Sequence, residues 1–233
     1  MSTNVTVIFQ IDPLKSLNFK TDSTICLLRE AINLGIDVWV CVPKTLAFSD
    51  NKASTWAYRV MDRNFSLSNP VKVYINDFNL FFIRQDPPFD MNYLTNCYLL
   101  ELHGKFNKTP YFVNNPSAIK NFTEKISPLY FKKIIPKTTI TSNLNEFKKL
   151  LEKYNNVVLK KLYNKGGDGV YKTSLSDKNS IEIFKKCSCN YLEPVIVQEY
   201  LSEVVNGDKR IILIDGIPEG VINRIPQKGE FKA

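Results

Sequence analysis

A chain of 233 residues fits one large domain or two modest ones, and its 44% hydrophobic, 23% charged composition excludes a disordered, collagen-like or disulfide-stapled chain. The formal net charge is +8, but 25 of the 31 basic residues are Lys, and no basic patch interleaved with aromatics stands out, so no nucleic-acid partner is expected. No window of about 18 uncharged apolar residues occurs, which excludes a membrane-spanning helix. The stretch Met1 to Gln10 lacks the basic flank and apolar core of a signal peptide, so a cytoplasmic address is expected.

In chain order, Val5 to Ile11 is a nearly continuous apolar run, as a buried parallel strand requires, and it ends at the turn signal Asp12-Pro13. Asp22 can cap a helix running to Leu34, with Ile25, Leu28 and Ile32 on one face and Gly35 beyond its end. Ile36 to Val42 is a second buried strand, so the three elements form a right-handed βαβ unit. The pattern loosens between Pro43 and Asn69. Val71 to Ile75 and Leu80 to Ile83 are short strands, Met91 to Phe106 a helix, Tyr111 to Val113 a strand, and Asn115 onward a polar turn. His103, the only histidine, stands just before Gly104, where the dipole of a helix's last turn favours it. This half of the chain describes an open α/β layer, whose ligands sit outside the carboxyl ends of the strands. Those ends carry Ile11 to Ser16 and Arg84 to Asp90.

From about Phe122 the chain turns to short strands and Lys-rich helices. Between Lys120 and Lys186 stand fifteen lysines and six acids, while the remainder holds sixteen bases and seventeen acids. Asn143 and Glu146 suggest a capping box ahead of an apolar stripe of Leu144, Phe147, Leu151 and Tyr154. Val157 to Leu162 is a strand, Asn164 to Gly169 a glycine turn, Val170 to Thr173 its return strand, and Asp177 to Lys186 a helix. A third piece begins near Pro194, with strand Val195 to Gln198 and a hairpin from Lys209 to Ile214, through Asp215-Gly216, to Ile217 and Asn223. Five cysteines without a Cys-x-x-Cys pair, beside one histidine, supply neither a disulfide framework nor a zinc site. A Ser-His-Asp or Cys-His mechanism has no partner in view.

The glycine turn joins two strands of the basic segment. Gly166, Gly167 and Gly169 either let backbone amides approach phosphate oxygens or make a plain hairpin turn. Lys160 either points a cation at the same phosphates or is solvated, like Lys161 beside it. Three further elements follow in order. Thr123-Glu-Lys125 offers a second cation before the lobe. Gln198-Glu-Tyr-Leu201, after an apolar strand, offers a connector whose backbone an adenine could read. Gly207-Asp-Lys-Arg210 sets a carboxylate for ribose or metal beside a guanidinium suited to carboxylates. Together they point to a basic lobe closing over a small polyanion such as ATP.

With these residues in place, the chain resembles the bacterial type of glutathione synthetase, an ATP-grasp ligase, over its whole length. The carrying segments are Ile11-Asp12-Pro13 with Lys20-Thr-Asp-Ser23, Arg84-Gln-Asp-Pro-Pro-Phe-Asp90, and Asn114-Asn-Pro-Ser117. They continue with Glu124-Lys125, Leu159-Lys160, Gly166-Gly167, Gln198 to Leu201, Gly207 to Arg210, and Arg224-Ile-Pro-Gln227 with Gly229-Glu230. The resemblance implies an α/β fold: a pre-ATP-grasp open parallel sheet domain over 1–121, an ATP-grasp α+β lid over 122–194, and the first strands of the ATP-grasp core over 195–233. It implies ATP-dependent ligation of γ-glutamylcysteine to glycine through an acyl phosphate, with Mg2+ bridging the phosphates.

Carried over residue by residue, Lys125 and Lys160 would bind ATP phosphates or adenine, with Gly166 and Gly167 on a mobile lid loop. Gln198, Glu199, Tyr200 and Leu201 would hold adenine and Asp208 the ribose. Arg210 and Arg224 would bind the dipeptide or stabilise the acyl phosphate, and Asp12, Ser16 and Arg84 belong to the substrate end. Such chemistry rests on positioning and electrostatics and requires no protein nucleophile. The chain departs from the family at Lys161, where Pro is preferred, and at Tyr163-Asn164, where Asp-Gly is preferred. The family also continues beyond Ala233 into strands that carry its magnesium ligands. The expectation is therefore an incomplete synthetase that binds ATP weakly and turns over poorly or not at all. A non-catalytic nucleotide-binding remnant and another ATP-grasp carboxylate-amine ligase remain alternatives, and a homo-oligomer stays open.

Overall fold

In the computed structural model, which describes residues 5–164 and 169–228, the first apolar run becomes strand β1 (Thr6–Gln10). The chain separates into two units, Met1–Glu124 and Lys125–Ala233. In the first, Asp22 caps helix α1 (Ser23–Asn33) by accepting the Thr24 N–H at 2.7 Å. Strand β2 (Asp37–Cys41) then returns parallel to β1, with Thr6 opposite Asp37. Strand β6 (Leu80–Ile83) pairs parallel with the other edge of β1, after three intervening strands. Helix α2 (Met91–Phe106) leads to β7 (Tyr111–Val113), which is parallel to β6.

The loosened stretch after Pro43 folds into β3 (Ala47–Ser49) and β4 (Lys52–Arg59), an antiparallel hairpin that pairs with β2. Its two-residue turn, Asp50-Asn51, has both φ angles positive (49° and 61°), the conformation that matches the twist of the flanking strands. Strand β5 (Val71–Tyr74) pairs antiparallel with β4. The sheet order is β3-β4-β2-β1-β6-β7, with β5 on β4. The expected open parallel sheet is thus present, with its parallel strands extended by an antiparallel ribbon. The residues after Asn115 are not a turn but helix α3 (Pro116–Asn121), whose first N–H groups the Asn115 side chain accepts.

Alternation along β1 divides the first unit's core between two faces. Val7, Phe9 and Ile11 pack with Ile25 and Leu28 of α1, while Ile8 packs with Phe81, Ile83 and Leu100 of α2 on the opposite face. Each such buried side chain contributes roughly 1.5–3 kcal/mol, so both helices are tied to the central strand.

The second unit opens on β8 (Thr138–Thr141), α4 (Leu144–Tyr154) and β9 (Asn156–Lys161). It continues with β10 (Val170–Ser174), α5 (Ser180–Cys187) and β11 (Val195–Glu199). The four strands form an antiparallel sheet in the order β10-β9-β11-β8. The fully buried rings of Phe147 and Phe184 lock the two helices together, stacked at 4.3 Å and 3°. Asn143 caps α4 by accepting the N–H groups of Asn145 and Glu146. Its own N–H goes to Thr141 Oγ1 at 2.9 Å, so the reciprocal half of the expected capping box is taken by Thr141 instead of Glu146.

Strands β12 (Asp208–Ile214) and β13 (Ile217–Arg224) form a separate hairpin. They are joined by Asp215-Gly216 with φ of 50° and 81°. Ile211, Leu213 and Val221 stand exposed on one face of this hairpin, and Ile212, Ile214 and Ile222 on the other.

His103 does stand in the last turn of α2, but it is fully buried and serves through hydrogen bonds as a neutral ring rather than as a charge on the dipole. Its Nδ1 accepts the Ala53 N–H at 3.0 Å, which leaves Nε2 to donate to the Thr109 carbonyl at 2.8 Å. A neutral ring thus clamps the β3–β4 hairpin to α2 and to the entry of β7. Burial holds its pKa below the ordinary histidine value, the bond to Thr109 opposes this, and the charge of Lys52 adds to it. The unfolded chain therefore takes up the proton first, and the clamp's stability is present above about pH 6.5 and lost as pH falls below it. We expect urea midpoints of the wild type to fall between pH 7 and 5.5 more steeply than those of His103→Phe. The variant's unfolding free energy should start lower by about 1–3 kcal/mol, because it orphans the two backbone groups. Parallel pH profiles for the two proteins would contradict this.

Candidate functional site

In the first unit the candidate residues gather where β1 and β6 end. The Arg84 N–H continues the ladder to the Gln10 carbonyl at 2.8 Å. Its guanidinium then turns toward the start of α1, with Nε donating to Thr24 Oγ1 at 3.2 Å and Nη2 to Ser23 Oγ at 2.8 Å. Asp12 Oδ2 accepts the Asp86 N–H at 2.9 Å, which ties the two loops together. Arg84, Asp12, Asn18, Ser23, Thr24 and Asp86 are among the residues that line an open cavity of about 290 Å³. Ser16 does not line it, because its hydroxyl donates to the Pro13 carbonyl at 2.7 Å and closes the turn. Sequence reasoning missed Gln10, which ends β1 in the core with Nε2 donating to Gln85 Oε1 at 2.6 Å. A polar residue closing an apolar strand was the signal that could have found it.

In the second unit Lys160 and Gln198 face each other across neighbouring strands. Lys160 Nζ donates to Gln198 Oε1 at 2.7 Å, and Gln198 Nε2 donates onward to Thr138 Oγ1 of β8 at 2.7 Å. Lys125 Nζ donates to the Lys161 carbonyl at 2.7 Å and to the Asn164 carbonyl. It therefore closes the strand end from the other side. Burial, and then the positive charge of Lys125, holds the Lys160 pKa below the usual lysine value. The ammonium of Lys160 thus meets a neutral amide oxygen and a like charge, an arrangement that an anion would relieve.

The connector behaves differently from the expectation. The Glu199 N–H donates to the Lys137 carbonyl at 3.0 Å, while Glu199 Oε1 accepts the Lys137 N–H at 2.9 Å. The Tyr200 N–H donates to the Asn156 carbonyl at 3.1 Å. Both amides are committed within the unit, which moves the backbone on offer to a base toward Leu201. The Tyr200 ring carries the ammonium of Lys172 at 3.7 Å from its centroid.

On the hairpin, the register sets Asp208 opposite Arg224 and Arg210 opposite Ile222, so Asp208, Arg210 and Arg224 share one face. Arg224 is ion-paired with Asp208 Oδ2, while Asp208 Oδ1 has no partner among the described residues. Two residues expected to serve different parts of a ligand thus hold each other. Gly166 and Gly167 lie outside the described residues. Among the described residues no three His, Cys, Asp or Glu side chains gather as metal ligands, and no helix is long and apolar enough to cross a membrane.

The glycine turn re-enters at Gly169, with φ of +70° and its carbonyl accepting the Lys161 N–H at 3.0 Å. A Cβ there would lie 3.0 Å from Lys161 Cγ. Gly169→Ala should therefore lower the unfolding free energy of the second unit by about 1–2 kcal/mol, the cost of a left-handed L-residue, and its urea midpoint with it. An unchanged midpoint would show that the strand end accepts the side chain without strain.

With this geometry in hand, comparison with known proteins is informative. Residues 5–120 match the family model of the prokaryotic glutathione synthetase N-terminal domain, and residues 124–233 that of the prokaryotic glutathione synthetase ATP-grasp domain. The chain is 35% identical over 233 residues to the glutathione synthetase of Agrobacterium fabrum, covering 97% of this chain and 72% of the relative. It is 33% identical over 232 residues to that of Rhodopseudomonas palustris, covering 97% and 73%. Among solved structures, D-alanyl-alanine synthetase A of Vibrio cholerae superposes with a TM-score of 0.57 at 14% identity, over 99% of this chain and 71% of that one. The last likeness concerns the fold alone.

Proposed function

The chain belongs to the prokaryotic glutathione synthetase family, and from that premise we propose that it is an ATP-dependent ligase joining γ-glutamylcysteine to glycine. The observation that carries the reading is Lys160, a part-buried ammonium whose acceptor is the neutral Gln198 amide oxygen and beside which stands the like charge of Lys125. A polyphosphate supplies negative charge to Lys160, and the nucleotide lies with its phosphates on Lys160 and Lys125. Its base lies toward Gln198 to Leu201, with Leu201 offering the backbone contact.

In the reaction the cysteinyl carboxylate attacks the γ-phosphorus of ATP, the bond to the β–γ bridging oxygen breaks, and ADP leaves with that oxygen's charge. The glycine amine then attacks the acyl carbon, phosphate departs with the C–O bond pair, and the amine loses a proton as the amide forms. Lys160 and Lys125 hold the phosphates in line and offset their charge, which is the larger part of such catalysis. Arg210 stabilises the charge that gathers on the acyl group. Arg224 does the same once a ligand draws it from Asp208, which then turns to the ribose. Arg84, held by Ser23 and Thr24, meets a carboxylate of the dipeptide in the cavity beside Asp12. The family implies magnesium, but the described residues offer no cluster to hold it, and no step here is routed through the metal. Dependence on ATP and five unpaired thiols fit a cytoplasmic address.

The test is product formation by the purified chain supplied with MgATP, γ-glutamylcysteine and glycine. Glutathione, ADP and phosphate should appear in equal amounts, at the low turnover expected from the sequence, and only when both amino substrates are present. Lys160→Met should lower kcat/KM for ATP by at least about tenfold, the worth of one charged hydrogen bond. Arg84→Met should raise KM for the dipeptide while sparing that for ATP. ATP consumption indifferent to γ-glutamylcysteine would refute the assignment.

A further inference from the structure

Lys160 does not stand alone: its bond to Gln198 is the end of a directional chain. Lys160 Nζ, which has only protons to give, takes Gln198 Oε1 as acceptor at 2.7 Å. That choice turns Gln198 Nε2 toward Thr138 Oγ1 at 2.7 Å. The Thr138 hydroxyl spends its proton on the Pro136 carbonyl at 2.7 Å and so presents a lone pair to the amide. The chain crosses from β9 through β11 to β8 and ends on backbone. Each member is used in one sense only. Reversing the amide would set its NH2 against the ammonium and its oxygen against an acceptor.

We propose that Thr138 is a positioning residue for the nucleotide: by fixing which end of the Gln198 amide faces Lys160, it holds the ammonium where the phosphates arrive. The proposal rests on the reading that Lys160 is a phosphate ligand. Among the described residues, the charged group that acts on Lys160 from outside its own strand is Lys125, which lowers the Lys160 pKa. Gln198 therefore supplies the favourable dipole on one side, and Thr138 decides its sign. Without the threonine hydroxyl the amide is free to turn over. Lys160 then faces a donor and a like charge at once, and its proton is lost at lower pH.

The experiment is calorimetric titration of MgATP into the wild type, Thr138→Val, Thr138→Ser and Lys160→Met across neutral to alkaline pH, with thermal melting to verify the fold. Affinity should fall as pH rises through the Lys160 titration. In Thr138→Val it should be weaker by about tenfold at neutral pH, the worth of one charge-assisted bond, and the alkaline fall should begin at lower pH. Thr138→Ser, which keeps the hydroxyl, should restore both affinity and midpoint. If the valine variant does not fold, Thr138→Ala serves in its place. A weakened Thr138→Val whose alkaline midpoint stays at the wild-type pH, or a serine variant as weak as the valine one, would overturn the proposal. Undiminished ATP affinity in Lys160→Met would instead overturn the reading of Lys160 as phosphate ligand.

Discussion

A part-buried ammonium held on a neutral amide oxygen, with a like charge beside it, is the constraint on which the second unit turns. Lys160 is brought there by β9, and Lys125 reaches the same strand end to bind the Lys161 and Asn164 carbonyls. The Gln198 amide does not neutralise the charge of Lys160, and its partial burial makes the repulsion from Lys125 felt. A fold accepts that cost where a ligand removes it. The surrounding pieces serve this purpose. The stacked Phe147 and Phe184 fix the helices behind the sheet, and the relay to Thr138 fixes the amide in front of it.

The first unit is organised by different means. Its candidate site is a corner of hydrogen bonds at the strand ends, in which an arginine is oriented by two hydroxyls at the start of a helix. Parallel pairing of β6 with β1 brings Arg84 to that corner from 60 residues beyond Thr24. The antiparallel ribbon of β3, β4 and β5 lies beyond β2, on the side of the sheet away from β6, and the neutral ring of His103 is one of its ties to α2.

Much of this was legible in the letters, for physical reasons. Helix α2 was read over Met91 to Phe106 as found, and β1, β6 and β7 followed from short apolar runs. What escaped was structure without a hydrophobic signature. Strand β4 buries Ala53, Ser54, Thr55 and Ala57, which look like loop composition, and its turn used Asp-Asn rather than the plainer Asp-Gly. Strand β8 consists of Thr138 to Thr141, whose half-buried hydroxyls carry no apolar alternation. The missed strand is also the one that supplies Thr138 to the site. His103 escaped because a partner on β4 cannot be read from its own helix. At the candidate site, residue types were visible but commitments were not. That Asp208 holds Arg224, that Ser16 turns to Pro13, and that the connector's amides are already bonded all depend on register and loop closure.

The central claim is that the lysine pair awaits a polyphosphate, and proton linkage tests it most directly. In alkaline solution Lys160 loses its proton before an ordinary lysine does, because its pKa is depressed. MgATP, binding the charged form, must raise that pKa and draw protons from the buffer. Calorimetry in two buffers of different ionisation enthalpy measures that number. The account predicts net proton uptake with MgATP and little or none with AMP, which lacks the β- and γ-phosphates. Equal proton counts for the two nucleotides, or binding of MgATP without uptake, would contradict it.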